Sequence, residues 1–382
     1  MKSLERAGKW GIDRLIGWRW GGAAEGRAPS AKPNASAVKF VLVVRPHNQM
    51  GDMLLSTPLF RALRRGYPGS RTTLVASPDN AEIMLEHPDV DEVLVFDKKR
   101  FQRHSGEAYA FLRSLRAHPW DLVIMPTTVS FSVTSAIVAR LAGGRLRVGS
   151  DGSAYGRTIG RRVFQIQVPC RWAREHQSDR NLDFARALDL DIPDRSPSMG
   201  LSAEETSWAR TQLADVRSAG RRAIGIHPGA GKRLNRWPAE RFARVAAALA
   251  EDAKNQVFVI AGPKEGILRD AVRKRVDDRV VCLADLPLRR AAALIGGLDL
   301  LICNDTGVMH IGAALGRPTL ALFGPTDPGL WAPLATNLKW LRAGDGRMET
   351  LTFDEVHAKA LELLRTARAA GEATHASDSA SR

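Results

Sequence analysis

The chain has 382 residues, 44% hydrophobic and 25% charged, long enough for two cored domains and ordinary for a soluble globular protein. Its three cysteines, Cys170, Cys282 and Cys303, stand far apart with no CxxC pair, which argues against a zinc site or disulfide framework and for a reducing compartment. The net charge of +15 suits nucleic acid, an anionic membrane surface or a phosphorylated substrate, unless it reflects only an arginine-rich composition; the basic clusters lack interleaved aromatics and no zinc-finger, RRM or helix-turn-helix pattern is evident, which sets nucleic acid aside.

Residues 1–37 read as a basic, Trp-containing leader and linker. No apolar run reaches the ~18 residues that span a bilayer, and "MKSLERAGKWGIDRLIGWRWGG" lacks the uninterrupted apolar core of a signal peptide. Leu4, Ile12, Leu15, Ile16 and Trp20 share one helical face, but Arg19 interrupts it and Trp10 and Trp18 lie outside it. Such a segment suits a membrane interface, an extra helix packed on the domain, or a frayed leader. "GGAAEGRAPSAKPNASA" then reads as a flexible linker.

From Val38 short β-branched runs alternate with helical stretches, the pattern of a parallel sheet with crossover helices. "VKFVLVVR" (38–45) reads as a fully buried strand. The helical segment after Gly51-Asp52 should be kinked at Pro58. "TTLVAS", "DEVLVFD" and "DLVIMP" follow as strands, with helices near 79–87, 104–117 and 130–142, and "RVFQIQV" (162–168) as a further strand. The pattern weakens over 188–205, where Pro193 and Pro197 mark a linker. A second series follows: "RAIGIHPG", "QVFVIAG", "RVVCLA", "LDLLICND" and "RPTLALFG". The expected organisation is an N-terminal domain over 38–195, a C-terminal domain over 196–352, a helix over 353–371 and a disordered polar tail over 372–382. Neither first strand is followed by GxGxxG. "PGAGKR" is not a P-loop, since Ile226 replaces its first glycine and Arg233 its Ser/Thr.

Ligands in open α/β sheets bind beyond the carboxyl ends of the strands. That rule puts "RPHNQMGD", "HPGAGKRLNRWP", "AGPKEG" and "NDTGVMH" on cleft rims. "NDTGVMH" opens the helix "GVMHIGAAL", whose amides at Thr306, Gly307 and Val308 suit a phosphate, with Gly307 allowing close approach. Asp305 repels a phosphate and suits sugar hydroxyls; alternatively Asp305 or Thr306 merely caps the helix. His310, one turn further on, either reaches the site or is a satisfied buried histidine. Asp52, after Gly51, either takes a proton from an attacking hydroxyl or caps its helix. Lys232, Arg233 and Arg236 form a cationic loop suited to a pyrophosphate leaving group, or a merely solvated one. Glu265 stands where an acid binds ribose hydroxyls.

Taken together, "GDMLLSTPLFRAL", "GIHPGAGKRLNRWPAERFARVAAAL" and "DTGVMHIGAALGRPTLALFGPTDP" resemble the lipopolysaccharide heptosyltransferases of glycosyltransferase family 9, over about residues 38–365. The resemblance implies the α/β GT-B fold, two doubly wound Rossmann-like domains facing across a cleft. It implies heptose transfer from ADP-heptose to an inner-core sugar of lipopolysaccharide, with acceptor on the N-terminal half and nucleotide sugar on the C-terminal half. The family is similar to inverting transferases that need no metal, and this chain has no DxD pair in a suitable loop; no cofactor is implied. Asp52 would be the general base, with His47, Asn48 and Gly51 on the acceptor side. Asp305 would hold heptose hydroxyls; Thr306, Gly307, Val308 and His310 would border the donor, with Lys232, Arg233, Arg236 and Glu265. Members usually carry a lysine two residues before the Trp of the "RWP" motif. Asn235 stands there instead, so the cation would come from Arg236, or from Lys232 or Arg233. The implied location is cytoplasmic, with peripheral contact at the inner membrane through the basic charge and leader. Competing readings are a GT-B transferase with another donor or acceptor, a GT-B epimerase, and a non-catalytic membrane-surface binder.

Overall fold

The computed structural model describes residues 32–46, 49–170, 175–263 and 265–380. The leader, most of the linker, His47 and Asn48 lie outside the described residues. The chain divides after Arg195 into two compact units.

The first unit carries β1 (Phe40–Arg45), β2 (Arg71–Ala76), β3 (Glu92–Val95), β4 (Leu122–Met125), β5 (Leu146–Gly149) and β6 (Ile166–Gln167). They form one parallel sheet in the order β3-β2-β1-β4-β5-β6. β1 is buried along nearly its whole length, as a strand covered by helices on both faces must be. Its Leu42 and Val44 join Val123, Met125, Phe111 and Phe164 in the core.

The second unit carries β7 (Arg222–His227), β8 (Asn255–Ala261), β9 (Val280–Ala284), β10 (Leu300–Asn304), β11 (Thr319–Phe323) and β12 (Leu338–Arg342). The order is β12-β11-β10-β7-β8-β9, again parallel. Ile224, Ile226, Val257, Val259 and Ile302 pack with Trp237 and Phe242 from the loop and helix after β7. In each sheet the chain order reverses beside the first strand, between β1 and β4 and between β7 and β10. Loops leaving two such neighbours diverge to opposite faces and open a crevice where open α/β sheets bind ligands.

The structure departs from the sequence-based expectation in five places. The segment after Gly51 is two helices, Met50–Leu54 and Thr57–Gly66, rather than one kinked helix. Pro58 falls in the first turn of the second, where its missing N–H costs nothing. Instead of a full strand over 162–168, a short helix covers Gly160–Val163 and only Ile166–Gln167 pair as an edge. Phe164 turns inward there and packs on Gly149, where a Cβ would lie 2.6 Å from its ring. β5 (LRVG) carries Arg147 and ends in a glycine, so it makes no apolar run, and β12, buried only at Leu338, lies at the sheet edge. The last helix runs Phe353–Ala380, through the stretch expected to be a disordered tail. Ala369, Ala370, Ala373, Ala376 and Ala380 favour helix, and the single Gly371 costs only about 1 kcal/mol.

Candidate active site

In the first unit the reversal point is the turn after β1. Gln49, not Asp52, stands at the N-cap of Met50–Leu54, so Asp52 sits inside the first helical turn and is not a cap. Gly51 precedes it, half-buried. Arg45, the last residue of β1 and only 2% exposed, ties this turn to the next strand. Its Nη2 donates to the Asp52 carbonyl at 3.2 Å and its Nη1 to the Pro126 carbonyl beyond β4, also at 3.2 Å. Burial lowers the Arg45 pKa to about 10, with the Asp52 charge opposing, so the guanidinium stays charged at neutral pH. Arg180, from the helix Gln177–Arg186, donates to the Thr128 carbonyl at 3.3 Å and also feels the Asp52 charge. Two guanidiniums therefore lie within reach of the Asp52 charge, and neither was read from the sequence.

In the second unit the reversal point gathers more of the expected residues. Thr306 stands at the N-cap of Gly307–Ala314 in extended conformation, and its side chain makes no capping bond. The capping alternative is therefore not realised for Thr306, nor for Asp305, which lies outside the helix. Asn235 Nδ2 donates to Asp305 Oδ2 at 2.7 Å and to Thr326 Oγ1 at 3.2 Å. The Thr326 hydroxyl in turn bonds to Asp305. Burial raises the Asp305 pKa above the usual aspartate value, while Thr326 and the charge of Lys232 act against that rise. Asn235 thus grips the carboxylate that the sequence left beside an absent lysine.

Asn304 locks this arrangement together. Fully buried at the end of β10, its Oδ1 accepts from Trp237 N at 3.0 Å, and its Nδ2 donates to the carbonyls of Pro228 (2.9 Å) and Gly229 (3.2 Å). One carboxamide so fixes both ends of the 228–237 loop against the turn that carries Asp305. Within that loop Lys232 and Arg233 are exposed, while Arg236 turns back and donates Nε to the Ala230 carbonyl at 2.8 Å. His310 is buried between Met309 and Ile311. Val308 is half-buried in the first turn.

Glu265 lies after β8, next in the sheet. Its Oε2 accepts from Gly262 N at 2.8 Å, and its Oε1 is 3.6 Å from His227 Nε2. Gly229 is pressed against this carboxylate: a Cβ there would lie 1.8 Å from Oε1. Gly229→Ala must therefore displace either Glu265 or the 228–237 loop. We expect the substitution to destabilise the second unit by about 1–3 kcal/mol, the usual cost of overpacking, read from urea unfolding; unchanged stability would show that the contact is relieved elsewhere.

The family model of glycosyltransferase family 9 (heptosyltransferase) matches residues 108–359, well over half of the chain. The chain belongs to this family. It is a glycosyltransferase of the GT-B fold, and its similarities agree. Lipopolysaccharide heptosyltransferase 3 of Escherichia coli is 27% identical over 78% of this chain and 87% of that protein. The E. coli ADP-heptose lipopolysaccharide heptosyltransferase II structure superposes with a TM-score of 0.71 at 26% identity, covering 86% of this chain and 99% of that one. A family 9 glycosyltransferase from Veillonella parvula shares the fold with a TM-score of 0.77 at 22% identity, over 88% and 99% of the two chains.

For this glycosyltransferase the residues that sequence reasoning missed are Arg45, Arg180, Asn304, Thr326 and His227. Each is a polar side chain with at least one partner on a segment remote in sequence. Arg45 in "RPHNQMGD", His227 in "HPGAGKRLNRWP", Asn304 in "NDTGVMH" and Thr326 in "FGPTDP" stood in stretches already marked; Arg180 did not. Among the described residues no helix is long and apolar enough to cross a membrane, and no group of three or more His, Cys, Asp or Glu is placed to hold a metal ion.

Proposed function

We propose that the protein transfers heptose from ADP-heptose to an inner-core sugar hydroxyl of lipopolysaccharide, with inversion and without a metal. The observation that carries this reading is Asp305, a fixed carboxylate beside an uncapped helix N-terminus at the chain reversal of the second unit. A carboxylate accepts from sugar hydroxyls, while free amides and the helix dipole favour a phosphate. The pairing of those two needs in one turn is what a nucleotide sugar presents.

In the reaction, the acceptor oxygen attacks the anomeric carbon from the face opposite the nucleotide. Asp52 takes the hydroxyl proton as the new C–O bond forms. The bond from the anomeric carbon to the pyrophosphate oxygen breaks, and ADP leaves with that electron pair. Lys232 and Arg233, with the amides of Thr306, Gly307 and Val308, meet the charge that develops on the leaving group. Gly51 borders the acceptor; Glu265 holds the donor ribose. Arg236, committed to the Ala230 carbonyl, shapes the loop. Acting on a lipid-linked acceptor, the enzyme works from the cytoplasm at the inner membrane surface, where its basic charge favours anionic headgroups.

The test is ADP release from ADP-heptose in the presence of a heptose-deficient core acceptor, compared with UDP- and GDP-sugars, with and without EDTA. Turnover with ADP-heptose alone, unchanged by the chelator, is expected. Turnover with another nucleotide sugar and indifference to ADP-heptose would overturn the donor assignment.

A further inference from the structure

We propose that His227 is a positioning residue that sets the Glu265 carboxylate to receive the ribose hydroxyls of the donor nucleotide. The inference rests on the nucleotide-sugar reading above. His227 ends β7 and is 4% exposed. Its Nδ1 lies 2.9 Å from the Ile260 carbonyl of the neighbouring strand β8. A carbonyl only accepts, so Nδ1 carries the proton and donates, which fixes both the ring orientation and the tautomer.

Nε2 then faces Glu265 Oε1 at 3.6 Å, too long for a direct hydrogen bond. Burial lowers the His227 pKa, with the Glu265 charge opposing, so the ring is neutral at pH 7. With its one proton committed to Ile260, the neutral ring offers Oε1 no donor. Its lone pair instead confronts that oxygen and discourages the carboxylate from collapsing inward.

Two further contacts close the remaining directions. Gly262 N holds Oε2 at 2.8 Å, and the bare Cα of Gly229 lies against Oε1. A carboxylate has about four acceptor directions, and only one is filled by a described amide. The open lone pairs suit a vicinal diol, the group a ribose presents. Glu265 would then touch the ligand, and His227 would act through Glu265.

The experiment compares binding of ADP, 2′-deoxy-ADP and 3′-deoxy-ADP to the full chain by titration calorimetry. The wild type is expected to prefer ADP by about tenfold or more, the range of a hydrogen bond to a charged acceptor. Glu265→Gln should reduce that preference severalfold. His227→Leu should bring it to within about twofold, leaving 2′-deoxy-ADP affinity near the wild-type value. His227→Asn keeps a donor for the Ile260 carbonyl and should restore part of the preference; being less disruptive, it also serves if His227→Leu fails to fold. A purely structural role would weaken ADP and both deoxy analogues equally and leave their ratio unchanged. A wild type that binds no ADP would overturn the nucleotide reading itself. A wild type that prefers ADP, with the ratio lost in Glu265→Gln but kept in both His227 variants, would overturn the inference alone.

Discussion

Asp52→Asn is expected to lower kcat by about 10²- to 10⁴-fold, the usual contribution of a positioned general base, while leaving ADP affinity unchanged. The substitution is close to isosteric, and the Arg45 bond goes to the Asp52 backbone carbonyl, so the turn should keep its shape. What is lost is the acceptor for the attacking hydroxyl's proton. An interaction made only in the transition state removes kcat and kcat/KM together, and calorimetry with ADP supplies the binding half of the comparison. Turnover retained within about tenfold would place the base elsewhere. Arg45 and Arg180 bring positive charge to the turn that carries Asp52.

Asp305→Ala is the second large effect, expected to reduce kcat/KM by about 10- to 100-fold, as follows from losing a hydrogen bond to a charged group. It should act mainly through the donor, and a deoxy-sugar donor lacking the contacted hydroxyl should show a smaller loss. The pH dependence follows from the same contacts. Burial raises the Asp305 pKa, so the carboxylate forms, and donor binding becomes effective, only as pH rises past the ordinary aspartate range. Asn235 donates to the charged form and favours it. Asn235→Ala removes that support and should move the acid limb of kcat/KM to higher pH. An acid limb unmoved in Asn235→Ala would separate Asp305 ionisation from donor binding. The same shift bears on stability: because the native aspartate binds its proton more tightly than the unfolded one, its contribution favours folding at low pH and is lost as pH rises through the native pKa.

The long buried strands were legible because parallel strands covered on both faces read as continuous apolar runs, as in "FVLVVR" and "LLICN". β12 was not, since its exposed Lys339 and Trp340 break such a run. β5 was not, since Arg147 and Gly149 interrupt its apolar run, and Phe164 defeated the strand read over 162–168 by turning into the core. Of the site, the carboxylates and the glycine-rich loops were visible because their residue types are unusual at strand ends. The residues that hold them were not. Asn304 bonds to residues 67 to 76 positions away, and Asn235 to one 70 positions away. Those partnerships exist only once the strands β7 and β10 lie side by side. Asn235 shows the difference most clearly: by sequence it marked a missing cation, and in the fold it is the donor that steadies Asp305.

The central claim, acceptor-directed heptose transfer, is tested most directly by the mass of the product. The purified enzyme would be incubated with ADP-heptose and a heptose-deficient lipopolysaccharide acceptor, and the acceptor weighed by mass spectrometry. The account predicts a gain of one heptose unit with wild type and essentially none with Asp52→Asn over the same interval. An acceptor of unchanged mass while ADP-heptose is consumed, or equal gain with both proteins, would contradict it.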